Sequence, residues 1–218
     1  MDNTVKRVIA FVIIAVILVV AAYGSYLPLR KAQMFIDTLQ SFQTTPPTSL
    51  QDLETRLSVP LDYPSPIGQE ELVRNTANSV LGLVQRSQDA STTANIIQFL
   101  NSYYDPIIAS GKGMSFGQDL YLEGAINEIA FANTGSADFL LSAKRYYAAA
   151  VQLGPNRPQS LYGLFDVYRA LGDASDTVSV ANTIVGNWPS DQNVGPSLQA
   201  FFASLASSTK AAKKTATK

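Results

Sequence analysis

Twenty consecutive uncharged residues, Val8 to Leu27 (VIAFVIIAVILVVAAYGSYL), follow a seven-residue head and precede a chain of quite different character. As an α-helix at 1.5 Å per residue they extend roughly 30 Å, the depth of a bilayer's hydrocarbon layer. Residues 1–7 therefore read as a short cytoplasmic head and 8–28 as a transmembrane helix in contact with the lipid bilayer. A cleaved signal peptide is the rival reading, but its apolar region usually spans about 7–15 residues, and Ala21-Ala22 and Gly24-Ser25 are weak cleavage candidates inside a longer run. Lipoprotein processing needs a cysteine, and the chain has none. Lys6 and Arg7 before the run are matched by Arg30 and Lys31 after it. A short head carrying two positive charges favours N-in, with the remainder extracytoplasmic.

The formal charge of −1 hides a segregation along the chain. Residues 1–31 carry a net +3, residues 32–205 a net −8, and residues 206–218 four lysines. A body of that sign repels phosphate backbones, so nucleic-acid binding is not expected. The end, SSTKAAKKTATK, reads as a disordered solvated tail over 206–218. With no cysteine and no histidine, the chain lacks disulfides, a thiolate nucleophile, an imidazole base and ordinary zinc or haem ligands. No cofactor and no metal are expected.

Beyond the anchor, RKAQMFIDTLQSFQ places Met34, Phe35, Thr38 and Leu39 near one helical face, an amphipathic stalk over 29–43. TTPPTS breaks it and opens a proline-rich connection over 44–68, within which Thr48 or Ser49 can cap a short helix through Leu57. From Gln69 the pattern is helical through 205. Leu72 to Val84 marks one helix ending near Ser87, and Ile96 to Tyr104 marks a second, capped by Ser91 or Thr92 and interrupted before Pro106. Leu120, Leu122, Ile126 and Ile129 mark a third. No alternating strand pattern occurs. The expected class is all-α: a transmembrane helix followed by antiparallel helices.

The helix over 138–153, DFLLSAKRYYAAAVQL, carries Ala143, Tyr147 and Ala150 and is followed by Pro155. This small, aromatic, small, proline spacing resembles helix B of a tetratricopeptide repeat. Thirty-four residues after Pro155 stands Pro189. Between them Leu161, Leu164 and Tyr168 match helix A core positions, Gly172-Asp173 the turn, and Thr177, Ala181 and Ile184 the helix B positions. Small residues let helices approach, the aromatic fills the space beside them, and proline stops helix B. Phe165 departs from the pattern by standing where the repeat usually has a small residue, and Thr177 by replacing alanine. The resemblance, clearest over 138–191, implies an α-solenoid domain. It also implies a concave groove lined by the second, fifth, ninth and twelfth positions of helix A, here Gln159, Tyr162, Asp166 and Arg169. That stripe suits an extended peptide or a partner's helix.

More broadly, the order of an apolar helix, LPLRKAQMFIDTLQ, PSPIGQEEL, further helices and YAAAVQLGPNRPQSLYGLFDVYRALGD is similar to the C-terminal extracytoplasmic tail of bacterial O-antigen ligase-like membrane proteins. The polytopic glycosyl-transfer core of that family is absent from this sequence, so its activity does not carry over.

Other candidate chemistry is weaker. Gly111-Lys112-Gly113-Met114-Ser115 lacks the spacing of a phosphate loop. Glu70-Glu71 suits a helix first turn, Asp52 and Glu54 form no evident acid/base pair, and Ser207 with Lys210 fits S-x-x-K only within the tail. The chain is not expected to be an enzyme. The first functional expectation is a single-pass scaffold mediating protein contacts at the extracytoplasmic face of a bacterial membrane. The alternative is a pilus-like filament subunit with the apolar helix in the fibre core, since Pro28 and the following RKAQ resemble the kinked first helix of type IV pilins. A Gly-Phe processing site and an acidic residue within the apolar run are both missing.

Overall fold

An apolar rod that finds no partner in its own chain stays bare. In the computed structural model, which describes residues 3–113 and 115–216 with side chains as far as 207, every residue of the apolar run up to Tyr26 is exposed. Helix α1 (Asn3–Ala21), a π-helical turn (Ala22–Tyr26) and α2 (Leu27–Thr44) form one helix of 42 residues, long and apolar enough to cross a membrane. Pro28 explains the π turn. It has no N–H, and its ring crowds the carbonyl four residues back, so widening the turn relieves the clash without ending the helix. The Leu27 N–H accordingly donates to the Ala22 carbonyl, five residues back.

The other elements are α3 (Leu50–Leu61), α4 (Gln69–Val84), α5 (Ala90–Ser110), α6 (Phe116–Thr134), α7 (Ala137–Leu153), α8 (Pro158–Leu171), α9 (Ala174–Asn187) and α10 (Val194–Ala216), with no strand among the described residues. The chain divides into two compact units, Met1–Ser79 with Gln98–Gly113, and Val80–Ile97 with Met114–Lys218. Helices α4 and α5 each contribute to both units, so the segment 69–205 is divided between them. Two local expectations change. Asp89, not Ser91 or Thr92, caps α5 by accepting from the Thr92 N–H at 2.7 Å. The helix then runs through Pro106 to Ser110 without interruption.

In the first unit α2 packs on α3 across the TTPPTS turn. Ser49 caps α3 by accepting from the Asp52 N–H at 3.1 Å, and the Asp52 carboxylate pairs with Arg56 at 2.8 Å. Leu57, Val73, Ala77, Leu100 and Tyr104 are fully or almost fully buried. The Tyr103 hydroxyl ties α5 to α3 by donating to Ser58 Oγ at 3.2 Å. Lys31, which reads in sequence as a charge flanking the anchor, is 3% exposed. Its ammonium donates to the Leu61 carbonyl at 3.1 Å, to the Tyr63 carbonyl at 2.8 Å and to Gln69 Oε1. All three ammonium protons are thus used, which is what makes burial of the charge tolerable.

In the second unit α6 to α10 pack in sequential order, and α8 also reaches α6. The short connections fold each helix back on its predecessor. Gly172 ends α8 at φ 73°, a left-handed conformation that costs glycine little. Asn133 Nδ2 closes the C-terminal end of α4 by donating to the carbonyls of Val84 at 2.8 Å and Gln85 at 3.0 Å. The tail expected to be disordered from 206 instead continues α10 as helix to Ala216. Alanine and lysine are strong helix formers, and α10 supplies the nucleus from which they propagate.

Replacing Lys31 by methionine keeps the aliphatic stem but orphans the three acceptors. The full chain in detergent should lose about 1–3 kcal/mol of stability in chemical denaturation. An unchanged unfolding midpoint would show that the ammonium contributes nothing to holding α2 on the first unit.

Candidate functional site

The close approach of α6, α7 and α8 turns on one aromatic ring. Tyr147, 2% exposed, lies against Gly124 of α6 and Gly163 of α8. A Cβ built on either glycine would come within 2.6 Å of a Tyr147 ring carbon. Its hydroxyl donates to Glu128 Oε2 at 2.7 Å, and the Tyr121 ring sits 5.9 Å away, centroid to centroid. The other residues of the repeat pattern surround this wedge. Ala143 and Ala150 are fully buried and Leu164 is 5% exposed, whereas Tyr168 is half-buried under the Lys144 ammonium, 4.9 Å from its ring centroid. Pro155 and Pro189 stand exposed just beyond α7 and α9.

Both departures from the repeat pattern have a local reason. Phe165 is 2% exposed in a cluster with Leu161, Ala181, Ile184 and Val194. The space for a close helix crossing comes from Gly163, two residues earlier. Thr177, fully buried, satisfies its hydroxyl by donating to the Asp173 carbonyl at 2.5 Å, so it occupies an alanine site without an orphaned donor.

The four residues of the expected groove meet different surroundings. Gln159 helps line a cavity of about 420 Å³ between the N-terminal ends of α6 and α8. Asp166 and Arg169 pair at 2.8 Å and line a second cavity of about 380 Å³, whose other wall is Ala200, Phe201 and Ser204 of α10. Tyr162 lies between these and is turned to its own domain. Its ring stacks on Trp188, centroids 6.4 Å apart, and its hydroxyl donates to Asp191 Oδ2. That bond pushes the tyrosine up to about 12 and, with the Val194 N–H, holds the Asp191 carboxyl below its usual range. The wall residues from α10 carry no motif that spacing alone could reveal.

Two carboxylates near this face are shifted the other way. Burial raises Glu128 above its ordinary value, against the lowering effect of the Tyr147 hydroxyl, and burial raises Asp166 against the pull of Arg169. The face can accordingly offer one ion pair, one carboxyl raised by burial and apolar rims, a composition for contact. No group of His, Cys, Asp or Glu among the described residues could hold a metal ion. Among the weaker candidates, the Asp52 carboxylate accepts from the Thr48 N–H and pairs with Arg56, while the Glu70 carboxylate lies beside Gly113. Met114, and the side chain of Lys210, fall outside the described residues. No protein-family model, curated protein or solved structure matches the chain.

Glu128 gives the second unit a specific pH response. A carboxyl raised on folding binds more protons in the native than in the unfolded state, so its charge costs stability as pH rises from the ordinary 4.5 through the higher native value. Glu128→Gln removes that cost and keeps an acceptor for Tyr147. The variant should melt above the parent at pH 7, with the gap closing as pH falls toward 4.5. A gap that widens on acidification would reverse the assigned sign.

Proposed function

We propose that the protein is a single-pass, membrane-anchored helical scaffold of a bacterial envelope, oriented N-in, whose tetratricopeptide-like second unit holds a segment of a partner protein. The observation that carries this reading is the bare helix: residues 3–26 form a rod with no buried residue, continuous with an α2 that is latched to a folded unit by Lys31 and Phe35. Exposed apolar surface of this extent needs a lipid or protein environment. Lys6 and Arg7 support the N-in orientation.

The cavity between α8 and α10 supports the partner reading. It is open, it has room for a large side chain, and it combines the buried edge of Phe201 with the Asp166–Arg169 pair. That mixture gives an apolar anchor its pocket and a polar rim its register. A filament subunit remains the second reading, favoured by the same bare helix, since lateral contact between copies would cover it as lipid does.

Val16→Arg places a charge at the centre of the apolar run and should cost insertion about 2.5–3.5 kcal/mol. Parent protein should resist carbonate extraction, and the variant should be released in larger part. Parent protein that leaves the membrane fraction on gentle shearing and sediments as polymer would favour the filament. Parent protein released by carbonate as monomer would end both readings.

For the groove, a photocrosslinker at exposed Ala170 should give one discrete adduct in native membranes. Ala200→Arg, which fills the cavity from its solvent side, should cut that adduct about tenfold with the melting temperature unchanged. Equal adduct yield from parent and variant would leave the face a spacer.

A further inference from the structure

The cavity at the N-terminal ends of α6 and α8 is built of donors. α6 starts at Phe116 behind Ser115 and α8 at Pro158 behind Arg157, and neither helix has a side-chain cap on its first N–H groups. Two uncapped helix starts therefore open on one space of about 420 Å³. The Arg157 guanidinium lies across it. It reaches over Gly117, where a Cβ would meet its Nη1 at 2.5 Å, and its stem passes Gly154, where a Cβ would meet Cδ at 2.8 Å. Arg157 is exposed and makes no side-chain hydrogen bond or ion pair among the described residues.

This places a full positive charge beside the positive end of α6, an arrangement of like signs. The acid of that helix turn, Asp119, is fully buried and is not part of the cavity wall. Ser160 lines the same space, is 1% exposed and has no hydrogen-bond partner for its hydroxyl among the described residues. The amides of Gln118 and Gln159 and the side chain of Tyr121 complete the wall. The hydroxyl of an otherwise buried serine, turned to a cavity whose one charged wall residue is cationic, points to an acceptor-rich anion as its partner.

We infer that this cavity binds a phosphate group, as free phosphate or as a phosphate monoester headgroup. A carboxylate has two oxygens. A tetrahedral phosphate can instead take the Arg157 fork, the Ser160 hydroxyl and an N–H from each helix start on separate oxygens. The volume leaves room for a small substituent on the phosphorus. Long-range steering plays no part, because the surrounding body is acidic, so binding depends on these donors alone. The site stands apart from the groove between α8 and α10 and does not require a partner there.

The test is calorimetric titration of the full chain in detergent with inorganic phosphate, and in parallel flotation with vesicles with and without phosphatidic acid. Saturable phosphate binding that Arg157→Gln weakens about tenfold or more would support the site with free phosphate as the source. Binding only to the phosphatidic acid vesicles, lost in the same variant, would support it with a headgroup as the source. Gly117→Ala supplies the structural control. It displaces the tip of a flexible side chain while improving helix propensity, so it should weaken binding without lowering the melting temperature. No phosphate or vesicle binding, or binding that both variants leave intact, would overturn the inference.

Discussion

Tyr147 brings a ring, an apolar body and a hydroxyl into the point where three helices meet, and the second unit is organised around accommodating it. α6 and α8 can close on α7 only because Gly124 and Gly163 carry no side chain where the ring lies. Phe165 is thereby released from the crossing and joins the cluster that seats α9 and the start of α10. The ring's hydroxyl needs an acceptor, Glu128 supplies it, and a half-buried carboxyl is the consequence. One packing decision thus sets the spacing of three helices, the composition of the next cluster and the acidity of a surface group.

The first unit is organised by a different constraint. A long helix that is bare over its first half has to be anchored in protein over its second, and an apolar stripe on α2 is narrow. Phe35 supplies packing and Lys31 supplies direction, through three acceptors on the segment from Leu61 to Gln69. The π turn before Pro28 carries the helix past the proline without a break. The bare half and the latched half are therefore one continuous element, and movement of either is transmitted to the other.

The two cavities of the second unit differ in kind because their walls arise differently. That between α8 and α10 is a gap between helix flanks, rimmed by small and apolar side chains with one satisfied ion pair. That between α6 and α8 is a gap between helix ends, where backbone donors and an unpaired guanidinium converge. Contact with another chain suits the former and a compact anion the latter.

Helix content, the apolar run and its length, the stop at Gly172 and the buried faces of α7, α8 and α9 were all legible in the chain, because periodicity and local steric rules act over a few residues. Ser49, Asp89 and the run through Pro106 lie at the margin, since several neighbouring residues satisfy the same local rule. The tertiary structure alone decided which polar side chains are spent inside. Lys31 lies in line with Phe35 and Thr38 on the apolar stripe of α2, and Tyr162 on the stripe the repeat assigns to a groove, yet the acceptors that capture them, at Leu61, Tyr63, Gln69 and Asp191, come from segments 29 to 38 residues away. Arg157 was a loop residue between two prolines until α6 was brought beside it. Periodicity names the buried face of a helix, but only the packed chain determines what that face, and its edges, will meet.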